Sequence, residues 1–309
     1  MPTRQPGRFG AVLTAMVTPF DESGKLDLDG AQDLVRHLQA NGSDGLVVSG
    51  TTGEGPVLSD DERRELWHAV VETSTVPVIA GSTSNDTAHS VELTRAAEAA
   101  GVDAILAVTP YYNRPSQVGL ARHFTAVAEV TRLPVILYDI PIRTGRKIAN
   151  DTMVRLAHEV PNIVAVKDAA GDVAGTARLL AEAPAGFECY SGEDLLTLPL
   201  LAVGAVGAIG VATHWVGQEI GEMIEAFLQG DVETARTLNA ELLEAVAYQS
   251  SDEAPNPMPA KAMMRAMGIH TGECRLPHGP APHWLEERAE AILADLEQWR
   301  AARHGGTRG

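Results

Sequence analysis

Positive charge is what this 309-residue chain has least of: four lysines, at positions 25, 147, 167 and 261, and twenty arginines face 41 acidic residues, for a formal charge of −17. That balance argues against DNA, RNA or an anionic membrane as partner, although a local positive site for a small anion stays compatible with it. Cysteine is equally sparse. Cys189 and Cys274 are too few and too far apart for a disulfide framework or a metal knuckle, and both read as reduced and structural. No stretch offers eighteen uninterrupted apolar residues, so a membrane-spanning helix is not expected. The opening MPTRQPGRF lacks the apolar core of a signal peptide, and the expectation is a cytoplasmic protein. Low-complexity tracts and long linkers are absent too.

What is present is alternation. Short Val/Ile/Leu-rich runs at 11–17, 45–49, 76–81, 104–109, 135–139, 163–167, 188–191 and 206–210 read as strands. Between them lie amphipathic stretches such as 31–40, 60–73, 88–100 and 115–131, with helix start signals at Ser59 and at Asn85-Asp86. Continuously apolar strands separated by helices imply parallel pairing with both faces covered, and eight such units imply a (β/α)8 TIM barrel. A doubly wound sheet would want a Gly-x-Gly-x-x-Gly turn after the first strand, where Thr18-Pro19-Phe20 stands instead. The expected organisation is a catalytic barrel over residues 1–230 and a C-terminal helical extension over 231–309, with helices at 232–249, 259–267 and 283–303.

In such a barrel the active site lies at the C-terminal ends of the strands. Those ends carry Ser49 to Glu54, Thr109 to Tyr112, Tyr138-Asp139, Lys167-Asp168 and Ser191-Gly192, a set of hydroxyls with one lysine. No His pair or carboxylate cluster converges there, so no metal site is expected and neither metal hydrolysis nor glycoside hydrolysis fits. Lys167 closes the apolar run IVAVK, where desolvation favours its neutral, nucleophilic amine. Taken alone, it could equally form an ion pair with Asp168. Tyr138, at the end of the adjacent strand, adds the hydroxyl that imine chemistry needs for proton transfer. The Thr51-Thr52-Gly53 loop can face a carboxylate with backbone N–H groups.

The stretches AMVTPF (15–20), GTTGE (50–54), VTPYYNRPSQ (108–117), LYDIPIRTG (137–145), VKDAAGD (166–172), YSGED (190–194) and PNPMPAK (255–261) resemble the pyruvate-dependent class I aldolase and lyase family typified by dihydrodipicolinate synthase. The similarity covers nearly the whole chain. It implies that Lys167 forms a Schiff base with pyruvate and that Tyr138 shuttles its protons, with Thr51 and Tyr112 completing a relay in which the second tyrosine reaches in from a neighbouring subunit. It also implies that Thr52 and Ile209 meet the pyruvate, and that Arg143 holds the carboxylate of the second substrate. The implied reaction joins pyruvate to L-aspartate-4-semialdehyde, giving 4-hydroxy-tetrahydrodipicolinate on the route to diaminopimelate and lysine. No cofactor is expected, because the lysine imine is itself the electron sink. A homotetramer, at least a dimer, is implied.

The chain departs from the family pattern at Asp139, where many members have Asn, at Gly55-Pro56, and at Gly210, where Ser is common. At the family's lysine-effector pocket it keeps Asn85 and Tyr111 but has Asp60, Arg63 and His89 where lysine-sensitive members have His, His and Glu. Weak or absent inhibition by lysine is therefore expected. Alternatives are a relative using sugar-type aldehydes, such as N-acetylneuraminate lyase or a 2-keto-3-deoxy-sugar-acid aldolase, and a barrel that binds keto acids without turnover. Arg143 favours an anionic aldehyde, and retention of the relay favours an enzyme. The histidines at 37, 68, 123, 158, 214, 278 and 283 read as surface, core or loop residues, and Trp67, Trp215, Trp284 and Trp299 as packing anchors on helices.

Overall fold

Residues 6–305 are described by a computed structural model; residues 1–5 of the opening segment and the last four residues of the expected extension lie outside them. Eight parallel strands close into a barrel in sequence order, β1 next to β2 and so on round to β8 against β1. They are β1 (Val12–Ala15), β2 (Gly45–Val48), β3 (Val78–Gly81), β4 (Ala104–Val108), β5 (Val135–Asp139), β6 (Ile163–Asp168), β7 (Glu188–Ser191) and β8 (Gly207–Gly210). The barrel expected from the alternation is thus the barrel found, with several strands trimmed by a residue or two at their ends.

Alternation along each strand sorts side chains into two cores. Leu13, Val47, Ile79, Leu106, Ile136, Ala165, Tyr190 and Ile209 fill the barrel interior. Val12, Leu46, Val78, Ile105, Leu137, Val166 and Ala208 instead face the helices, where they meet Leu34, Leu66, Trp67, Leu93 and Phe124. Each Leu-, Val- or Phe-sized side chain so buried contributes about 1.5–3 kcal/mol before entropic costs. Gly207 is required by packing: a Cβ there would strike the carbonyl oxygen of Ala11 on the neighbouring strand segment.

The helices of the outer ring are α1 (Leu28–Ala40), α2 (Asp60–Thr73), α3 (Thr87–Ala99), α4 (Gln117–Glu129), the short α5 (Pro141–Thr144), α6 (Asn150–Glu159), α7 (Val173–Glu182), α8 (Thr197–Val203) and α9 (Thr213–Gln229). Ser59 and Glu62 form a full capping box on α2, with Ser59 Oγ accepting from Glu62 N and Glu62 returning the bond to Ser59 N. On α3 the N-cap is Asp86 rather than Asn85, its carboxylate accepting from Ala88 N at 2.9 Å. After Gly230, whose φ of +91° ends α9, come α10 (Val232–Glu241), α11 (Leu243–Ala247), α12 (Met258–Ala266) and α13 (His283–Gly305). The single helix expected over 232–249 is therefore two, separated at Leu242. Among the tryptophans, Trp67 and Trp215 are fully buried anchors, whereas Trp284 is 38% exposed and anchors little. Among the described residues no helix is long and apolar enough to cross a membrane.

The extension does not merely pad the barrel. Its loops return over the mouth, where Lys261 of α12 and Glu54 of the β2 loop form an ion pair at 2.7 Å with both side chains 1% exposed. Lys261 also lies over the Phe20 ring and donates to Glu273 O at 3.0 Å. Arg275 straps the same region, bonding Glu62 on α2 through Nη1 and Nη2 at 3.0 and 2.5 Å.

Candidate active site

Strand periodicity decides where the two residues that end β6 point. Lys167 shares the face of Ala165 and enters the barrel interior, whereas Asp168 shares the face of Val166 and turns to the helix layer. Asp168 is engaged there: it accepts from Thr176 Oγ1 of α7 at 2.5 Å and from Ala170 N at 2.9 Å. The ion pair between neighbours that the sequence left open does not form. Among the described residues the Lys167 amine makes no ion pair and no hydrogen bond, although the residue is only 4% exposed.

Burial lowers the Lys167 amine from its ordinary 10.5 to about 8, working against the nearby carboxylates Asp194 and Glu193, which favour the ammonium. A substantial neutral fraction is therefore available near pH 8. Its stem fits because residue 192 is glycine: a Cβ there would come within 2.9 Å of Lys167 Cγ and 3.1 Å of Cε. Tyr138 pairs in register with Lys167 across β5 and β6, and the Lys167 Nζ lies 4.4 Å from the centre of its ring. The phenol is 4% exposed. Burial pushes it up to about 12, with the Thr51 side chain as the chief opposing influence. At neutral pH it is a protonated donor beside an unpaired amine, which suits it to pass protons without ionising in the resting state.

Tyr138 borders a cavity of about 330 Å3, whose walls also include Thr51, Tyr111, Arg143, Arg63 and His278 but not Lys167 itself. Thr52 is buried and accepts at Oγ1 from Asn256 Nδ2 at 3.0 Å. The carbonyl of the same Asn256 accepts from Arg143 Nη2 at 3.2 Å, so one residue of the extension steadies both the threonine loop and the arginine. Ile209 on β8 is fully buried and belongs to the interior core. Asn256 was not singled out from sequence, where the PNPMPAK stretch was the available signal, and His278 was read there only as a loop residue.

Tyr112 is not brought to this chain's own cavity. It is 90% exposed, with a positive φ of +71° that costs a non-glycine residue about 1–3 kcal/mol, and Tyr111 lines the wall in its place. Ile142, on α5, is also 90% exposed. At Gly210 an added Cβ would collide with the Asp194 carboxylate, whose other oxygen accepts from Val211 N and Ala212 N at 2.8 and 3.2 Å. Arg63, buried in the cavity wall, donates to Gly55 O at 2.5 Å, and Asp60 on α2 pairs with His89 on α3 at 2.9 Å. Cys189 and Cys274 are both free and buried.

Fold and site together define a (β/α)8 barrel with a desolvated, unpaired lysine at its mouth, backed by a tyrosine and a threonine. The model of the Dihydrodipicolinate synthetase family matches residues 8–296, and the chain belongs to that family. It is 48% identical over 290 residues to the 4-hydroxy-tetrahydrodipicolinate synthase of Moorella thermoacetica, covering 93% of this chain and 98% of that one. Among solved structures, a dihydrodipicolinate synthase from Bacillus anthracis superposes with a TM-score of 0.89 at 43% identity, over 93% of this chain and 98% of that one. The Cyanidioschyzon merolae enzyme, solved with lysine bound, gives 0.90 at 39% identity, over 94% and 98%.

Proposed function

We propose that this protein is a Schiff-base-forming lyase that condenses pyruvate with L-aspartate-4-semialdehyde to give 4-hydroxy-tetrahydrodipicolinate, in the biosynthesis of diaminopimelate and lysine. The observation that carries the reading is the buried, unpaired Lys167 amine facing the Tyr138 ring at 4.4 Å. Names of close relatives supply the substrates.

Lys167 Nζ attacks C2 of pyruvate, and the carbinolamine loses water to leave a protonated imine. Tyr138, with Thr51 beside it, gives and takes the protons of these steps. Loss of a proton from C3 yields the enamine, whose C3 attacks the aldehyde carbon while the new alkoxide takes up a proton. The amine of the second substrate then attacks C2 and expels Lys167, closing the ring and freeing the enzyme. Thr52 and the strand around Ile209 receive the pyruvate, and Arg143 the carboxylate of the semialdehyde. Tyr112, exposed and held in an unusual backbone conformation, completes the relay in a neighbouring subunit, which makes the working form at least a dimer and, in keeping with the family, a tetramer in the cytoplasm. Residues 1–230 act as the catalytic barrel, and 231–309 as the extension that braces its mouth.

Incubation with pyruvate and borohydride, followed by peptide mass mapping, tests the first step. A reduced pyruvyl adduct on Lys167 is expected; an adduct elsewhere, or none, removes the mechanism. Turnover of sugar-type aldehydes in place of aspartate-4-semialdehyde would keep the imine and change the second substrate.

A further inference from the structure

The proposed second substrate is an α-amino acid, carrying an ammonium as well as the carboxylate assigned to Arg143. A site that reads both needs an anionic group close to the reacting lysine as well as the arginine. Glu193 supplies one. Tyr190 and Ser191 of β7 pair in register with Lys167 and Asp168, and Gly192 packs on the lysine stem, so residue 193 opens the next loop directly at the lysine. Its backbone is fixed by Ser191 Oγ, which donates to Glu193 O at 2.7 Å. Its half-buried side chain is steadied from the extension by Gln249 Nε2, 3.0 Å from Oε1, and Gln249 is itself only 9% exposed.

The other carboxylates nearby are turned into the protein. Asp194 gives its Oδ2 to two N–H groups of the β8 end and keeps a buried Oδ1, without a hydrogen bond, against Gly210, and Asp168 faces α7. Among the described residues Glu193 has no cationic partner within ion-pair distance, yet it and Arg143 exert opposite electrostatic effects on both Lys167 and Tyr138. The half-buried carboxylate is thus held by a neutral amide beside the reacting groups, on which Arg143 also acts. An ammonium is the ligand group that this arrangement lacks.

We propose that Glu193 binds the α-ammonium of the aldehyde substrate while Arg143 binds its carboxylate, and that Gln249 positions Glu193, so that the mouth selects aldehydes that carry an amine α to their carboxylate over aldehydes without the amine. This rests on the condensation proposed above. The amine so placed is the one that must reach C2 of the imine for ring closure, so recognition and cyclisation use the same orientation.

The test separates the pyruvate half-reaction from the aldehyde. Deuterium exchange into the pyruvate methyl group in D2O, followed by NMR, reads imine and enamine formation without any aldehyde. Condensation kinetics with aspartate-4-semialdehyde, and inhibition by 4-oxobutanoate, which lacks the ammonium, read the second site. In E193Q the KM for aspartate-4-semialdehyde is expected to rise roughly tenfold to a hundredfold, with exchange retained within about twofold and 4-oxobutanoate inhibition unchanged. Gln249→Ala, which keeps the carboxylate but loosens it, should raise the same KM roughly three- to tenfold. An unchanged KM in E193Q overturns the proposal, as does loss of exchange in step with condensation, which would place Glu193 in the service of Lys167 or Tyr138. Should E193Q not fold, wild-type enzyme that binds 4-oxobutanoate as tightly as the amino aldehyde overturns it equally. Wild-type enzyme that exchanges deuterium but does not condense aspartate-4-semialdehyde removes the underlying reading of the second substrate, and this inference with it.

Discussion

Replacing Asp139 by asparagine removes a carboxylate that the fold buries at the end of β5, one residue from Tyr138. Asp139 is 1% exposed, and strand alternation directs it away from the cavity into the helix layer, alongside Leu137. Its Oδ1 accepts from Ile148 N at 3.1 Å, and its Oδ2 lies 3.5 Å from Nζ of Lys147, whose side chain is 37% exposed. These contacts do not offset the loss of hydration. Burial pushes the carboxyl from 3.8 up to about 6, and Asp168, its partner in register on β6, adds repulsion in the same direction. A group whose folded pKa lies above its unfolded value stabilises the fold fully below the unfolded pKa and loses that contribution as pH rises through the folded one. The window here runs from about pH 4 to about pH 6, and its full depth is about 3 kcal/mol.

Asparagine keeps an oxygen for Ile148 N and carries no charge, so D139N escapes this loss. Equilibrium urea unfolding of both proteins, at one protomer concentration and at half-unit steps from pH 4 to pH 8, isolates the effect because the other titrating groups are common to both. The two should be nearly equal in stability at pH 4. Above pH 6.5 D139N should be the more stable by up to about 3 kcal/mol. A difference that stays flat across the range, or that favours aspartate increasingly as pH rises, refutes the assignment of a desolvated carboxyl at this position.

Other expectations follow from the same structure. Tyr138→Phe should lower kcat in a coupled assay by about 10²- to 10⁴-fold while the pyruvate adduct on Lys167 can still be trapped on long incubation; a kcat within threefold of wild type would remove Tyr138 from the relay. Lys261→Met leaves Glu54 buried without its cation and should cost about 3–5 kcal/mol in urea unfolding, with the double variant carrying Glu54→Gln as well recovering part of that loss; a cost under about 1 kcal/mol would contradict a tightly buried pair. Free lysine should inhibit weakly or not at all, because its ammonium would meet the buried Arg63 guanidinium and a His89 already paired with Asp60 at 2.9 Å; half-inhibition at sub-millimolar lysine in the condensation assay would refute this.

The parts of the site legible in the sequence are those set by local periodicity. A lysine ending an apolar run must lie at a barrel mouth once eight strands are counted, and the period of two that turns Ala165 and Lys167 inward turns Asp168 outward, so the absence of their ion pair was readable from the same pattern. Asn256, Gln249 and His278 could not be reached that way. They lie in irregular loops of the extension, and their approach to Thr52, Glu193 and the cavity depends on how α10 to α13 pack back over the barrel, a long-range outcome with no repeating signature along the chain. This division separates the chemistry from the selection of substrate. The strands present the groups that make and break the imine, while extension residues brace Thr52, Arg143 and Glu193, the groups assigned to the two substrates. Changes at Gln249 should therefore alter which aldehyde is accepted before they alter reaction with pyruvate, whereas changes at Asn256, which braces Thr52 as well as Arg143, should affect both substrates.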